Sequence, residues 1–418
     1  METVSHVSNK QRFNKNAERN AAACVRNLAS WDHAVEEIKT WPEYKPQPLH
    51  SLANSAKELG IASLLVKDES QRFGSSLGSF KALGAPFAVY KILADEVFAK
   101  TGVRPTSTQL RSGQCSRITE RVTVCVATDG NQGRGLAYGA KIFGCRCVDY
   151  IHGHVSEGRA DAMKDFGATV IRVDGEYESS VKRAKEDARM NGWHFVSSTS
   201  WDDFDHGIPQ NVMNAYMVVV DEAVNMVPQI TDITHVLVCG GVGSIAAAIF
   251  LGITHRLREL HVTCELPRFI VAEPKEADCL FQSAEKGEPV PSVGSLRTFM
   301  AGLACREPSP AAWKILSWLA SDFVSVPDSV AIEGMRVLAS GYQGDVPVVC
   351  GESSAANMGL LLKTRIDESL REKLGINDDS HVLIFSLEGA TDSKIYESVV
   401  GMSPQMVFQA QSRSLVKE

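Results

Sequence analysis

The sequence predicts an α/β fold of two domains, each built on a mainly parallel sheet flanked by helices. Three observations carry that expectation. Short apolar runs alternate with helix-patterned stretches, glycines close the helices, and 418 residues exceed what one core ordinarily serves.

In chain order, residues 1 to 30 show little periodicity and read as a loose lead-in. The stretch from Trp41 to Leu49 carries Pro42, Pro46 and Pro48, which make it stiff and extended. A helix over Leu52–Leu59 precedes a strand at Ala62–Val66. After Lys81, the residues Leu83, Phe87, Tyr90, Ala94 and Val97 recur at spacings of four and three, one apolar face of a helix. Pro86 falls early in that helix and is tolerated only in a first turn. Residues 101 to 121 are polar and read as a surface excursion.

Two strand-and-helix series follow. The first has strands at Val122–Ala127, Cys145–Ile151, Thr169–Val173 and His194–Val196. Its helices are Gly133–Phe143, Glu157–Phe166 and Glu178–Met190, with Gly144 and Gly167 as left-handed C-caps. The second has strands at His235–Cys239, Phe269–Ala272, Phe323–Val326 and His381–Ser386. The helices Ser244–Leu251, Ser329–Ala339 and Ser354–Ile366 belong to it. The boundary falls near residues 190 to 200. Ligands of such sheets bind beyond the carboxyl ends of the strands.

Composition narrows the function. Apolar residues make up 44% and charged residues 22%, and the net charge is -7, which argues against nucleic acid or an anionic membrane as partner. No apolar run approaches the roughly 20 residues of a membrane helix. The first 30 residues contain no apolar leader core, and a mitochondrial presequence ranks well behind a cytoplasmic location. Ten cysteines are scattered. Cys125, Cys239 and Cys264 sit in apolar runs as small hydrophobes, and Cys145 and Cys147 lack the second pair that a zinc site needs. No metal site is expected, and a reduced setting fits.

Three stretches carry chemistry. Ser79-Phe80-Lys81 places a lysine at a helix mouth beside apolar surface; a neutral amine there condenses with a carbonyl. An ordinary surface lysine would look the same in isolation. Thr128-Asp129-Gly130-Asn131-Gln132-Gly133 follows a strand and opens a helix, offering a base and a neutral hydrogen-bonding pair. It serves equally as a capped turn. Gly240-Gly241-Val242-Gly243-Ser244 joins a strand to a helix without a following lysine, which suits a monophosphate ester better than a nucleotide. Ala301–Cys305, Gly351–Ser354 and Glu388–Asp392 stand out too, with Glu352 and Asp392 read as helix caps. A monophosphate cradle, a partly buried lysine and strand-end Asp and Asn together suggest pyridoxal phosphate.

The same residues give a family resemblance. The chain resembles the fold-type II pyridoxal-phosphate enzymes, relatives of threonine dehydratase and tryptophan synthase β, and within them the diaminopropionate ammonia-lyases. The likeness runs from about Tyr44 to Tyr396. It rests on Val66-Lys67-Asp68-Glu69-Ser70-x-Arg72-Phe73-Gly74, Ser79–Gly84, Thr128–Gly135 and Gly241-Val242-Gly243. It continues through Met300–Cys305 with Glu307-Pro308, then Gly351-Glu352-Ser353 and Glu388-Gly389-x-Thr391-Asp392.

The resemblance implies a larger domain from residues 1–85 and 195–418, a smaller inserted domain over 86–194, and cofactor in the cleft. It implies that Lys81 holds pyridoxal phosphate as a Schiff base and that Phe80 packs on its ring. Asn131 would bond the ring hydroxyl, and Gly240, Gly241, Val242, Gly243 and Ser244 would hold the phosphate. Asp129 is the first of two expected bases, and Ser79, Thr128 and Ser198 would line the substrate. The expected reaction is α,β-elimination of ammonia from 2,3-diaminopropionate, an amino-acid substrate, by a homodimer.

The second base departs from the family pattern. Where the family has Asp-Thr-Ala-Trp, this chain reads Ser198-Thr199-Ser200-Trp201, and a hydroxyl is a far weaker base than a carboxylate. Narrowed stereospecificity is the expectation. Ser75-Ser76 is an insertion, Ala85 follows Gly84 where a Gly is usual, and Arg306 replaces a usual Gly. Elimination or replacement on serine, threonine, 3-hydroxyaspartate or O-acetylserine is an alternative, as is a cofactor-binding protein without turnover.

Overall fold

The computed structural model describes residues 3–25, 29–128, 130–175, 177–197, 207–260, 263 and 265–415. Eleven strands are formed among them: β1 (Ser5–Ser8), β2 (Leu49–Ser51), β3 (Ser63–Asp68), β4 (Thr123–Ala127), β5 (Arg146–His152), β6 (Thr169–Val173), β7 (His194–Phe195), β8 (His235–Cys239), β9 (Arg268–Pro274), β10 (Asp322–Val326) and β11 (His381–Ser386). They make two sheets. The larger runs β1-β10-β9-β8-β11-β3-β2, and the smaller runs β6-β5-β4-β7. The smaller sheet is parallel throughout. In the larger one only the edge strands β1 and β2 run antiparallel. The strands β3, β4, β8 and β10 are almost wholly buried, as strands covered on both faces are.

The strand order places the site. From β8 the chain moves outward one way through β9 and β10, whereas β11 and β3 lie on the other side of β8. The loops leaving β8 and β11 therefore diverge at their carboxyl ends and open a crevice there. β3 ends next to β11 in parallel register, Asp68 beside Ser386, so the chain leading to Lys81 starts at that crevice.

The helix Lys81–Thr101 is buried on every side from Ala82 to Tyr90, more than a one-face stripe would give. It packs between the helices Asn131–Phe143 and Gly207–Met226. Two glycines permit this. A Cβ on Gly84 would come within 2.6 Å of Val212, and one on Gly139 within 2.6 Å of the Pro86 Cα. Pro86 stands sixth in its helix, past the first turn, and its ring fills that close crossing.

The lead-in is more ordered than its composition suggests. β1 pairs with β10, and the His6 Nε2 atom lies 2.8 Å from the Asp322 carboxylate. Tertiary pairing supplies what periodicity lacked. Residues 101 to 121 hold two short helices, Ser107–Arg111 and Ser116–Thr119, and Leu110 in the first of them is buried.

A buried quartet fixes the chain between β3 and Lys81. Lys67, Glu69 and Arg72 meet Glu222 from the Gly207–Met226 helix, all four almost fully excluded from solvent. The Lys67 ammonium donates to Gln47 O, Glu69 and Glu222. All five Arg72 N–H groups find acceptors in Glu69, Glu222 and Lys45 O. Burial alone would push the Glu69 carboxyl up, but Arg72 and Lys67 outweigh it and hold it well below the usual range.

Candidate active site

Four segments meet at the crevice. The first is the Lys81 loop, joined to the exit of β11 by backbone bonds. Phe80 N donates to Leu387 O (3.0 Å), Gly389 N donates to Gly78 O (2.9 Å), and Ser79 bridges Glu388. Lys81 is the first residue of its helix and half-buried, and its N–H donates to Ser79 Oγ at 3.3 Å. Phe80 meets Tyr216 edge-on at 4.9 Å between centroids, and the Lys81 ammonium stands 6.0 Å from the Phe80 ring centre.

The second segment is the glycine loop after β8. Gly241 and Gly243 take φ of +69° and +95°, which only glycine adopts without strain. A Cβ on Gly240 would come within 2.5 Å of Glu273 Cγ, so the loop lies directly on that buried acid. Ser244 opens the helix Ser244–Glu259, whose first N–H groups point back into the crevice, as helix N-termini do. Burial pushes the Glu273 carboxyl well up, which keeps negative charge away from this anion-seeking loop.

The third segment is the β4 exit. Thr128 is buried, and its Oγ1 accepts N–H bonds from Gly130 (3.1 Å) and Gly133 (3.2 Å), capping the turn. Asn131 begins the helix Asn131–Phe143 and reaches across to Glu388, its Nδ2 donating to Oε2 at 2.7 Å. Its Oδ1 accepts from Arg134, whose Nη1 also donates to Ser76 O at 3.3 Å. Asp129 and Ser198, one expected base and the position of the other, lie outside the described residues.

The fourth segment joins residues that sequence reasoning left among helix caps. Glu352 heads the helix Glu352–Ile366 and is 6% exposed, and Glu388 follows β11 at 7%. Gly351 N donates to Glu388 O at 2.9 Å, which ties the two together. Burial first, and the Glu388 charge second, push the Glu352 carboxyl up to about 7. Ser353 Oγ and Glu388 Oε1 are buried without a hydrogen-bond partner. Both surround Gly302, where a Cβ would lie 2.7 Å from Ser353 Oγ and 3.7 Å from Glu388 Oε1. The signal available in the sequence was acidic residues at strand ends, a pattern shared by ordinary caps.

Lys81, Phe80, Ser79, Asn131 and the Gly240–Ser244 loop are thus brought to one crevice with Glu388, Glu352 and Ser353. Burial pushes the Cys239 thiol at the end of β8 up to about 12, so its sulfur is neutral. Among the described residues no group of three or more His, Cys, Asp or Glu could hold a metal. None of the described helices is long and apolar enough to cross a membrane.

This donor set fits pyridoxal phosphate. An anion-seeking loop that a Cβ would crowd, a half-buried primary amine, and buried polar atoms left without partners stand at one strand-end crevice. Comparison with known proteins agrees. The model of the pyridoxal-phosphate dependent enzyme family matches residues 40–386. Diaminopropionate ammonia-lyase of Escherichia coli (strain K12) is 37% identical over 363 residues, 85% of this chain and 87% of that protein. The Salmonella typhimurium protein of the same name is 34% identical over 409 residues, 94% and 98% of the two chains. The crystal structure of the holo Escherichia coli enzyme superposes with a TM-score of 0.83 at 33% identity, covering 96% of this chain and 97% of that one. Sequence, topology and site together make this chain a member of the pyridoxal-phosphate dependent enzymes of fold type II.

Proposed function

We propose that this enzyme eliminates ammonia from 2,3-diaminopropionate, releasing pyruvate and a second ammonia. The observation that carries the substrate is likeness along most of the chain to two diaminopropionate ammonia-lyases, at 37% and 34% identity. The half-buried amine of Lys81, set at the crevice beside the Gly240–Gly243 loop, supports the chemistry.

Pyridoxal phosphate, when bound, supplies a carbonyl that condenses with amines and a ring that withdraws electrons from the substrate Cα. The chain's own residues do the rest. Lys81 Nζ would hold the cofactor. The N–H groups of Gly240 to Ser244 would bind its phosphate, and Phe80 would bound its ring. Asn131 would donate to the ring oxygen. Asp129 takes the proton from one face of Cα. Ser198 replaces the second carboxylate of the family pattern, and a hydroxyl holds its proton at neutral pH, so only the enantiomer served by Asp129 is turned over. Ser79 and Thr128 line the substrate, with the Thr128 hydroxyl also capping the turn.

The domain division follows the same reading. Residues 1–85 and 195–418 form the larger domain and 86–194 the smaller, with cofactor between. The two separate sheets support this. The enzyme acts as a cytoplasmic homodimer on a free amino acid, without nucleic acid or membrane.

The test is an absorbance spectrum of the purified protein during addition of D- and L-2,3-diaminopropionate. The expected result is a visible cofactor band, lost in Lys81→Ala, and pyruvate from one enantiomer only. Pyruvate from serine or O-acetylserine and none from diaminopropionate would replace the substrate. Equal rates with both enantiomers would remove the role given to Ser198.

A further inference from the structure

Asn131 is held from both ends by groups that leave it no choice of orientation. Its Nδ2 donates to Glu388 Oε2 at 2.7 Å. Its Oδ1 accepts from the Arg134 guanidinium. An ionised carboxylate only accepts and a guanidinium only donates, so the reversed amide would place N–H against N–H and oxygen against oxygen. One N–H of Asn131 then remains beyond the one given to Glu388.

The two clamps are themselves fixed. Glu388 is anchored through its backbone, which accepts from Gly351 N and pairs with Ser79. Arg134 is buried and donates to Ser76 O, within the inserted Ser75-Ser76 pair. Glu388 Oε1 has no partner, so this side chain has acceptor capacity left over after orienting Asn131.

We propose that Glu388 is a positioning residue that acts through Asn131, fixing its amide so that the remaining N–H is presented to the cofactor's ring oxygen. The proposal rests on Asn131 being that oxygen's donor, and it is independent of which amino acid is turned over. Arg134 completes the clamp from the opposite end. Glu352 lies beside this arrangement, and burial together with the Glu388 charge holds its carboxyl above the usual carboxylate range. The charged groups that act on it are Glu388 and Asp392, which oppose its ionisation, and Arg159, which favours it.

The experiment uses the holoenzyme and reads cofactor affinity and the pH titration of the visible band, without substrate. Four proteins are compared: wild type, Glu388→Leu, Asn131→Ala and the double variant. Losing a hydrogen bond to a charged group is worth about tenfold or more. Glu388→Leu is expected to weaken cofactor binding by about that factor and to move the band's pH midpoint. The double variant is expected to match Asn131→Ala alone, because Glu388 has nothing left to orient. Additive losses in the double variant would overturn the proposal, as would a Glu388→Leu band and affinity identical to wild type. An Asn131→Ala protein with unchanged band and affinity would overturn it at its premise, a failure separate from that of Glu388. Glu388→Gln serves if Glu388→Leu does not fold. It keeps an acceptor but loses the charge, so affinity should be largely kept while the pH midpoint still moves. No movement of that midpoint in Glu388→Gln counts against the proposal.

Discussion

Two buried polar clusters flank Lys81, and they are built on opposite principles. Before it in the chain, Lys67, Glu69, Arg72 and Glu222 pair two cations with two anions. Every charged N–H there has an acceptor inside the protein. Across the crevice, Glu352, Ser353, Glu388 and Asn131 bring two acids together, and Ser353 Oγ and Glu388 Oε1 lack partners. Complete satisfaction marks a structural cluster, since removing any member strands a buried charge. Unanswered atoms that meet at a strand-end crevice leave hydrogen-bonding capacity for a ligand there.

The largest test of that difference is Lys81→Ala, which breaks the site and spares the first cluster. Turnover and the visible band should vanish, while the melting curve of the cofactor-free protein stays within about 1 kcal/mol of wild type. A large loss of stability would mean that Lys81 belongs to the structural set.

Glu222→Gln should do the reverse. It leaves Lys67 and Arg72 short of one negative charge in a dry interior, at a cost of about 3–5 kcal/mol. Denaturant melts of the holo and apo proteins read it. A cost below about 1 kcal/mol would show that water or rearrangement answers those cations.

Glu352→Gln sharpens the contrast through pH. The Glu352 carboxyl titrates at about 7 in the fold against an ordinary 4.5. Between those values the unfolded chain is ionised while the folded one keeps its proton, so stability falls as pH rises from about 4.5 to 7 and is level beyond. The shift amounts to about 3 kcal/mol. Relative to wild type, Glu352→Gln should therefore gain stability across that window by about that amount. A pH-independent difference between the two would refute the buried-acid description. The smallest effect expected is that of Tyr44→Phe, which removes one hydroxyl donor at 3.0 Å from Glu222. About 1 kcal/mol should be lost, with turnover unchanged.

Much of the fold was legible because local pattern and tertiary demand agreed. The strand His235–Cys239 and the helix starting at Ser244 fall where apolar run and glycine loop place them. The lead-in was not legible, since Ser5–Ser8 becomes a strand only by pairing with β10 more than 300 residues later. The all-round burial of the Lys81 helix was hidden as well. It needs Gly84 where that helix meets Val212 and Gly139 where the Asn131–Phe143 helix meets Pro86, and the contacts they allow join positions far apart in sequence.

The sequence by itself determined the alternating α/β architecture, the lysine at a helix mouth and the glycine loop shaped for a phosphate. Each depends on residues within a few positions of one another, where backbone geometry decides. Only the tertiary structure decided that Glu388 holds Asn131, that burial beside Glu388 raises the Glu352 carboxyl, and that Glu222 completes the Lys67, Glu69 and Arg72 cluster. Those properties arise from charges brought together across 36 to 257 residues of chain. Desolvation and pairing act on distance in space, which no local pattern encodes.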